Sequence, residues 1–305
     1  FLYQAILVRM RAGEGYYAAA TAEQRARGYP TRPFATVRLP TVASLIVTLG
    51  TLVAKTLLIS IWVAAILAWR AQLLGHFRLR IWALIGGLTL WMSINPITNT
   101  HYLSMHELWA GDLLTLSLGL YRSDRWLPSL LVAALALMVR EHCLPYVLLM
   151  AAYAAWHKRW REAAAWSLLP IGFAMFLAFH IQMVAAYALP SDTASPGWVK
   201  FGGLSGALNY LYLGSWFRMF QNIWAYPLII LSLFGWMSWR SDMGLRTSLL
   251  LLGYTLMFCL IGRPNTWYWG IMIGPLLGMG LVFLRASLPG LIRAAAPPKL
   301  DLATT

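Results

Sequence analysis

The chain has 305 residues, of which 60% are hydrophobic and only 11% charged. A soluble domain averages about 25% charged residues, so this composition excludes an ordinary soluble protein and predicts an integral membrane protein. The net charge of +14 is not read as nucleic-acid binding: the basic residues sit in short loops between apolar segments, where such charges orient helices and touch anionic lipid. The sixteen tryptophans and fourteen tyrosines suit a chain with two membrane–water interfaces, where amphipathic rings collect.

The first stretch, FLYQAILV, is apolar but falls short of the roughly 20 residues a crossing needs. It is expected to be the end of a truncated first crossing. The only long polar segment comes next, from Arg9 to Pro40. It carries Glu14, Glu23 and six arginines (Arg9, Arg11, Arg25, Arg27, Arg32 and Arg38). Its AAATAEQRAR run has good helix formers, while Pro30, Pro33 and Pro40 punctuate the rest of the segment. Two short interfacial helices are expected in this region, one near Tyr16 to Arg27 and one near Thr41 to Leu49. The first loop is taken as residues 9–42.

The later apolar segments are Thr41 to Trp69, Ile81 to Asn95, Glu107 to Tyr121, Trp126 to Val139, His142 to Trp156, Ala163 to Leu189, Asn222 to Trp239, Thr247 to Gly262 and Trp269 to Leu284. They predict an all-α fold, a polytopic transmembrane helix bundle of nine full crossings plus the truncated first helix. Threaded in alternation, one set of loops holds 13 basic residues: Arg70, Arg78, Arg80, Arg122, Arg125, Lys158, Arg159, Arg161, Arg240, Arg246, Arg285, Arg293 and Lys299. The other set, apart from the long first loop, holds four: Arg140, Lys200, Arg218 and Arg263. The richer set is assigned to the cytoplasm, and the first loop to the extracytoplasmic face. Residues 1–290 form one transmembrane domain in this reading, and 291–305 a disordered cytoplasmic tail. The cysteines, Cys143 and Cys259, lie in no metal-ligand spacing and read as inert thiols.

Function is expected on the loops that carry acids, arginines, histidines and aromatics together. Glu14, between Gly13 and Gly15, reads either as a general base at the membrane surface or as a solvated loop acid. Glu107, behind His106, starts a helix, where an acid suits the dipole without further purpose. The pair is not read as a metal site, since adjacent side chains diverge and no third ligand is evident. A divalent metal is left open. Asp112 lies about one turn inside the same apolar segment, where an ionisable group suggests function by default. Arg140-Glu141-His142 is either an ion pair pinning two helix ends or an arginine facing a phosphate. Arg263-Pro-Asn-Thr-Trp-Tyr-Trp is either an interfacial belt or a phosphate contact beside a stacking surface. Lys55 either snorkels or points into a cavity. His180 and Gln182 read as interhelical hydrogen-bond partners.

The acid in GEGYYAAA after the first crossing, GYPTRPFATVRLP leading into the second, and the later HELWAG, MVREHCLPY and RPNTWYWGIMIGPLL together resemble the GT-C class of polytopic glycosyltransferases. That class includes protein O-mannosyltransferases, aminoarabinose transferases and bacterial dolichyl-phosphate-mannose-type transferases. The resemblance implies a multi-pass protein of the bacterial cytoplasmic (inner) membrane with its active face extracytoplasmic. It implies an inverting transfer of a sugar from a polyprenyl-phosphate donor to an acceptor hydroxyl. Glu14 would be the catalytic base, with Glu107 and Glu141 as further catalytic acids. Arg38, Lys55, Arg140 and Arg263 would bind the donor phosphate. Tyr16, Tyr17, His106, Trp267 and Tyr268 would line the sugar and lipid pocket. The class usually has aspartate where Glu14 stands, and its larger members carry a C-terminal soluble domain. Acceptor recognition is therefore expected from the loops or from partner subunits. Two other readings stand beside this one: a non-catalytic subunit of a larger membrane assembly, and a transporter. Transporters tend to show internal repeats, and none is visible.

Overall fold

The computed structural model describes residues 2–77, 80–94 and 100–284. Arg78, Arg285, Arg293, Lys299 and the 291–305 tail lie outside the described residues. The described chain is helical throughout, with two isolated β-bridges and no named strand among the described residues.

The helices are α1 (Leu2–Arg11), α2 (Tyr16–Ala26), α3 (Thr41–Leu49), α4 (Thr51–His76), α5 (Arg80–Trp91), α6 (His106–Leu120), α7 (Leu127–Val139), α8 (Leu144–Trp156), α9 (Trp160–Tyr187), α10 (Gly203–Leu213), α11 (Asn222–Ser238) and α12 (Asp242–Leu260). A run of 3-10 turns, Pro264–Met272, then leads into α13 (Gly274–Leu284) at a bend of 64°.

The two helices expected in and after the first loop are α2 and α3. Gly50 takes φ 80°, a left-handed backbone that L side chains rarely adopt. It separates α3 from α4 within an apolar run that would otherwise read as one long span. Of the nine crossings expected, three helices (α4, α9 and α12) have the length and composition to cross a membrane among the described residues. The bent pair ending in α13 makes a fourth if it counts as one broken span. Helices α5, α7 and α11 are apolar but have only 12, 13 and 17 residues, below the roughly 20 of a simple crossing. Between the apolar segments that end at Leu189 and begin at Asn222 lies a further helix, α10, whose buried side is Ala207, Leu208, Tyr210 and Leu211.

The centre of the bundle is α6. Every residue from His106 to Gly119 is buried, as expected of a helix apolar on all sides. It packs against α4, α7, the Pro264–Met272 turns and α13. The approach is closest at Gly111, where a Cβ would meet the Ile271 carbonyl at 2.8 Å. One core runs from Leu7 to Phe283. A smaller cluster of Ile6, Tyr17, Ala19, Ala20, Val37 and Val184 seats α2 on α9. Cys143 is buried and Cys259 half-buried, and both are free thiols.

Candidate functional site

Helix α6 begins at His106, so the Glu107 carboxylate stands at its N-terminal end. The loop that ends at Pro40 lays Arg38 over that end. Gln24 donates to the carbonyls of Pro30 (3.2 Å) and Thr36 (2.9 Å), which holds the Pro-rich loop against α2. The Tyr16 hydroxyl donates to the Arg38 carbonyl at 2.7 Å. The Arg38 guanidinium then reaches three groups: the hydroxyls of Tyr3 (3.1 Å) and Tyr268 (2.9 Å), and Glu107 Oε1 at 3.3 Å.

Arg140 enters from the junction of α7 and α8. It is buried, with Nε 2.9 Å from Glu107 Oε1 and Nη1 2.5 Å from Glu141 Oε1. His142 Nδ1 lies 3.0 Å from the same Glu141 oxygen, and the Tyr254 hydroxyl donates to the His142 carbonyl. Burial works against a charge on Glu141, but the Arg140 guanidinium and the His142 hydrogen bond outweigh it and hold its pKa well below the usual carboxylate range. Burial and then Arg140 push the His142 pKa down. The result is a charge chain, Arg38–Glu107–Arg140–Glu141, that ties three distant stretches of sequence into one unit. Two arginines on one buried carboxylate offset its desolvation cost, which an isolated charge could not bear.

Beside this chain lies a cavity of about 890 Å³. Its chemistry is set by Arg38, Arg263 and Glu107, together with Tyr3, Tyr268 and Trp198. Arg263 is held through its backbone: its N–H donates to Thr266 Oγ1 at 2.9 Å, and its carbonyl accepts from the Tyr210 hydroxyl at 2.6 Å. Its side chain points toward Ser195 (3.4 Å) and the Trp198 ring (6.0 Å), and its Nε is buried without a partner. The residue lines the cavity, where its positive charge faces any anion bound there.

The roof is a strap formed by residues 188–202. Asp192 anchors it: Arg25 donates two hydrogen bonds to its carboxylate (2.5 and 2.9 Å), Thr31 Oγ1 one (2.7 Å), and the Leu189 N–H another (2.9 Å). These partners, Arg25 foremost, hold the Asp192 pKa far below the usual carboxylate range. The Ser195 N–H bonds to the Arg32 carbonyl (2.7 Å), and the Gly262 N–H to the Trp198 carbonyl (2.7 Å). Thr193, Ala194, Pro196 and Trp198 thereby cover the cavity.

The predicted residues divide. Arg38, Glu107, Arg263 and Tyr268 line the cavity, and Arg140 and Glu141 stand behind Glu107. Tyr16 positions Arg38. His106 donates from Nε2 to the Leu39 carbonyl at 2.9 Å and so braces the same loop. Glu14, expected as the catalytic base, does not line this cavity. Gly13, at φ 95°, turns the chain after α1 so that Arg9 takes the Glu14 carboxylate in a bidentate pair of 2.5 and 2.9 Å. Tyr17 bonds His180 Nδ1 at 3.2 Å, and His180 Nε2 lies 3.2 Å from the Val37 carbonyl; that satisfies the structural role expected of His180. Lys55 lies in the first turns of α4, outside the lining of either cavity. Trp267 lines a second, smaller cavity with Asp112.

Sequence reasoning passed over Tyr3, Trp198 and the Arg25–Asp192 anchor. Asp192 could have been singled out as the only acid between Pro190 and Gln221. Among the described residues no group of three or more His, Cys, Asp or Glu side chains is arranged to hold a metal ion. Comparison with known proteins finds no matching family model, no matching curated protein and no matching solved structure.

Proposed function

We propose that the chain is a membrane glycosyltransferase that moves a sugar from a polyprenyl-phosphate donor to an acceptor hydroxyl, at the end of the bundle where α6 begins. The observation that carries this reading is the roofed cavity with two guanidiniums, one carboxylate and an aromatic wall. Arg38 and Arg263 suit a lipid-linked phosphate, which arginine grips through paired donors. Tyr3, Tyr268 and Trp198 suit the faces of a sugar. In an inverting transfer the acceptor oxygen attacks the anomeric carbon, its proton leaves to a base, and the bond to the lipid phosphate breaks. The charge that grows on the leaving phosphate is what preorganised cations stabilise.

Glu107, rather than Glu14, is the carboxylate in position to take the proton, because Glu107 lines the cavity and Glu14 does not. Arg140 behind it and Arg38 beside it fix its orientation. Transfer measured with purified protein and a short-chain polyprenyl-phosphate sugar tests this. Glu107→Gln is expected to lower the rate by about 10²-fold or more, with donor binding retained. Arg263→Ala is expected to weaken donor binding. Transfer by Glu107→Gln at the wild-type rate would refute the base assignment.

The second reading, a non-catalytic subunit of a larger membrane assembly, is favoured by one observation. Glu107 and Glu141 are each engaged by a guanidinium, which works against proton uptake by either acid. Donor binding without turnover by the wild-type chain, together with co-purification at fixed stoichiometry, would select it. No separate observation supports a transporter.

A further inference from the structure

A smaller cavity lies beyond Tyr102, which lines both. Asp112 lines it from α6, and Ser93, Ser215 and Arg218 line it from other elements, with Trp216 and Trp267 as part of the wall. Asp112 is only 2% exposed, and its Oδ2 has no hydrogen-bond partner. Ser93 Oγ is also buried without a partner. No ion pair joins Asp112 to Arg218 among the described residues, although both face the same space. An isolated carboxylate within an apolar bundle is costly and calls for a cationic or hydrogen-bonding partner.

We propose that this cavity binds the headgroup of one phospholipid of the phosphoethanolamine type, its ammonium on Asp112 and its phosphate on Arg218. Three observations choose the ligand. The free space is about 30 Å³, on a scale where about 10–15 Å³ holds one water; a compact ammonium fits beside Asp112 and a trimethylammonium does not, while the phosphate stays at the mouth, where Arg218 is half-buried. The cation and anion on the walls are separate, so they suit a zwitterion whose two charges are separate too. Directly after Arg218 come Met219, Phe220, Ile223 and Trp224, all exposed. They form an apolar rim on which acyl chains lie while the headgroup turns inward. A carboxylate that accepts N–H donors from an ammonium also discriminates against choline, which offers none. The glycosyl-transfer reading plays no part in this inference, since Arg38, Glu107 and Arg263 line the other cavity.

The test uses the full chain purified in detergent and titrated with phosphatidylethanolamine, phosphatidylcholine, phosphatidylglycerol or soluble phosphoethanolamine, with binding followed by native mass spectrometry and thermal shift. Phosphatidylethanolamine is expected to bind about tenfold or more tighter than the other two lipids, as one charge-assisted contact allows. Asp112→Asn is expected to abolish that preference while keeping side-chain shape, and Arg218→Gln to weaken the binding of phosphatidylethanolamine. Arg263→Ala should leave the preference intact, which separates this site from the larger cavity. Equal binding of phosphatidylcholine, or an undiminished preference in Asp112→Asn, would overturn the assignment. Soluble phosphoethanolamine binding as tightly as the lipid would overturn the role of the apolar rim. Because the lipid comparison can be made on the wild-type chain, it stands even where a variant fails to fold.

Discussion

Removal of the Asp192 carboxylate, as in Asp192→Ala, should release the strap that roofs the cavity. The side chain is 1% exposed and accepts from Arg25, Thr31 and the Leu189 N–H. Breaking a buried pair costs about 3–5 kcal/mol when the surviving charge is stranded. Arg25 is 35% exposed, so water takes up part of that cost, and about 2 kcal/mol of local stability should be lost. At 1.4 kcal/mol per factor of ten, the strap should open about thirtyfold more often. Amide hydrogen exchange reads this directly, because Thr31 and Ser195 donate their N–H groups across the seam between strap and first loop. Both should exchange faster by about that factor, while the amides of α6 stay protected. The folded pKa of Asp192 is depressed, so the anchor contributes fully above the ordinary carboxylate pKa of about 4 and weakens only as pH falls through the lower folded value. Strap protection should therefore be flat between pH 6 and 8. Unchanged exchange at Ser195 in Asp192→Ala would refute the anchor.

Glu14→Gln should leave transfer within about an order of magnitude of wild type, in contrast to the loss of about 10²-fold or more expected of general-base removal; the same assay applied to Glu14 and Glu107 ranks the two acids. Gly235 and Gly280 bring α11 and α13 into backbone contact, and a Cβ on Gly235 would collide with the Gly280 carbonyl. Gly235→Val should cost at least about 2 kcal/mol by overpacking, read as a lower melting temperature in detergent. Arg246 lies buried between the rings of Tyr121 and Tyr153, its guanidinium 3.8 and 4.2 Å from their centroids. Arg246→Ala should cost about 2–4 kcal/mol from the cavity and the lost cation–π contacts. Arg246→Lys should not restore stability, because an ammonium has no planar face to fill the gap between the rings.

The amino-acid sequence alone determined the class of this protein. A chain with 11% charge must bury or immerse its helices in an apolar medium, and prolines and glycines mark where those helices stop. Helices α2 and α3 were legible because alanine-rich and apolar runs are bounded by Gly15, Pro40 and Gly50, and such local signals act over a few residues. The number of crossings was not legible: α5, α7 and α11 are apolar without being long, and composition does not distinguish a short span from a buried core helix. Nor was the partnership of the charges. Glu14 sits in an open Gly-Glu-Gly turn that reads as accessible, yet Arg9 reaches it across the turn. Glu107 reads as a dipole-favoured acid, yet Arg38 and Arg140 converge on it from 69 residues before and 33 after in sequence. Asp192 and Arg25, 167 residues apart, close the roof. A charge in an apolar bundle must find an opposite charge wherever the fold brings one within reach, and that distance is a property of helix packing, to which spacing along the chain gives no guide.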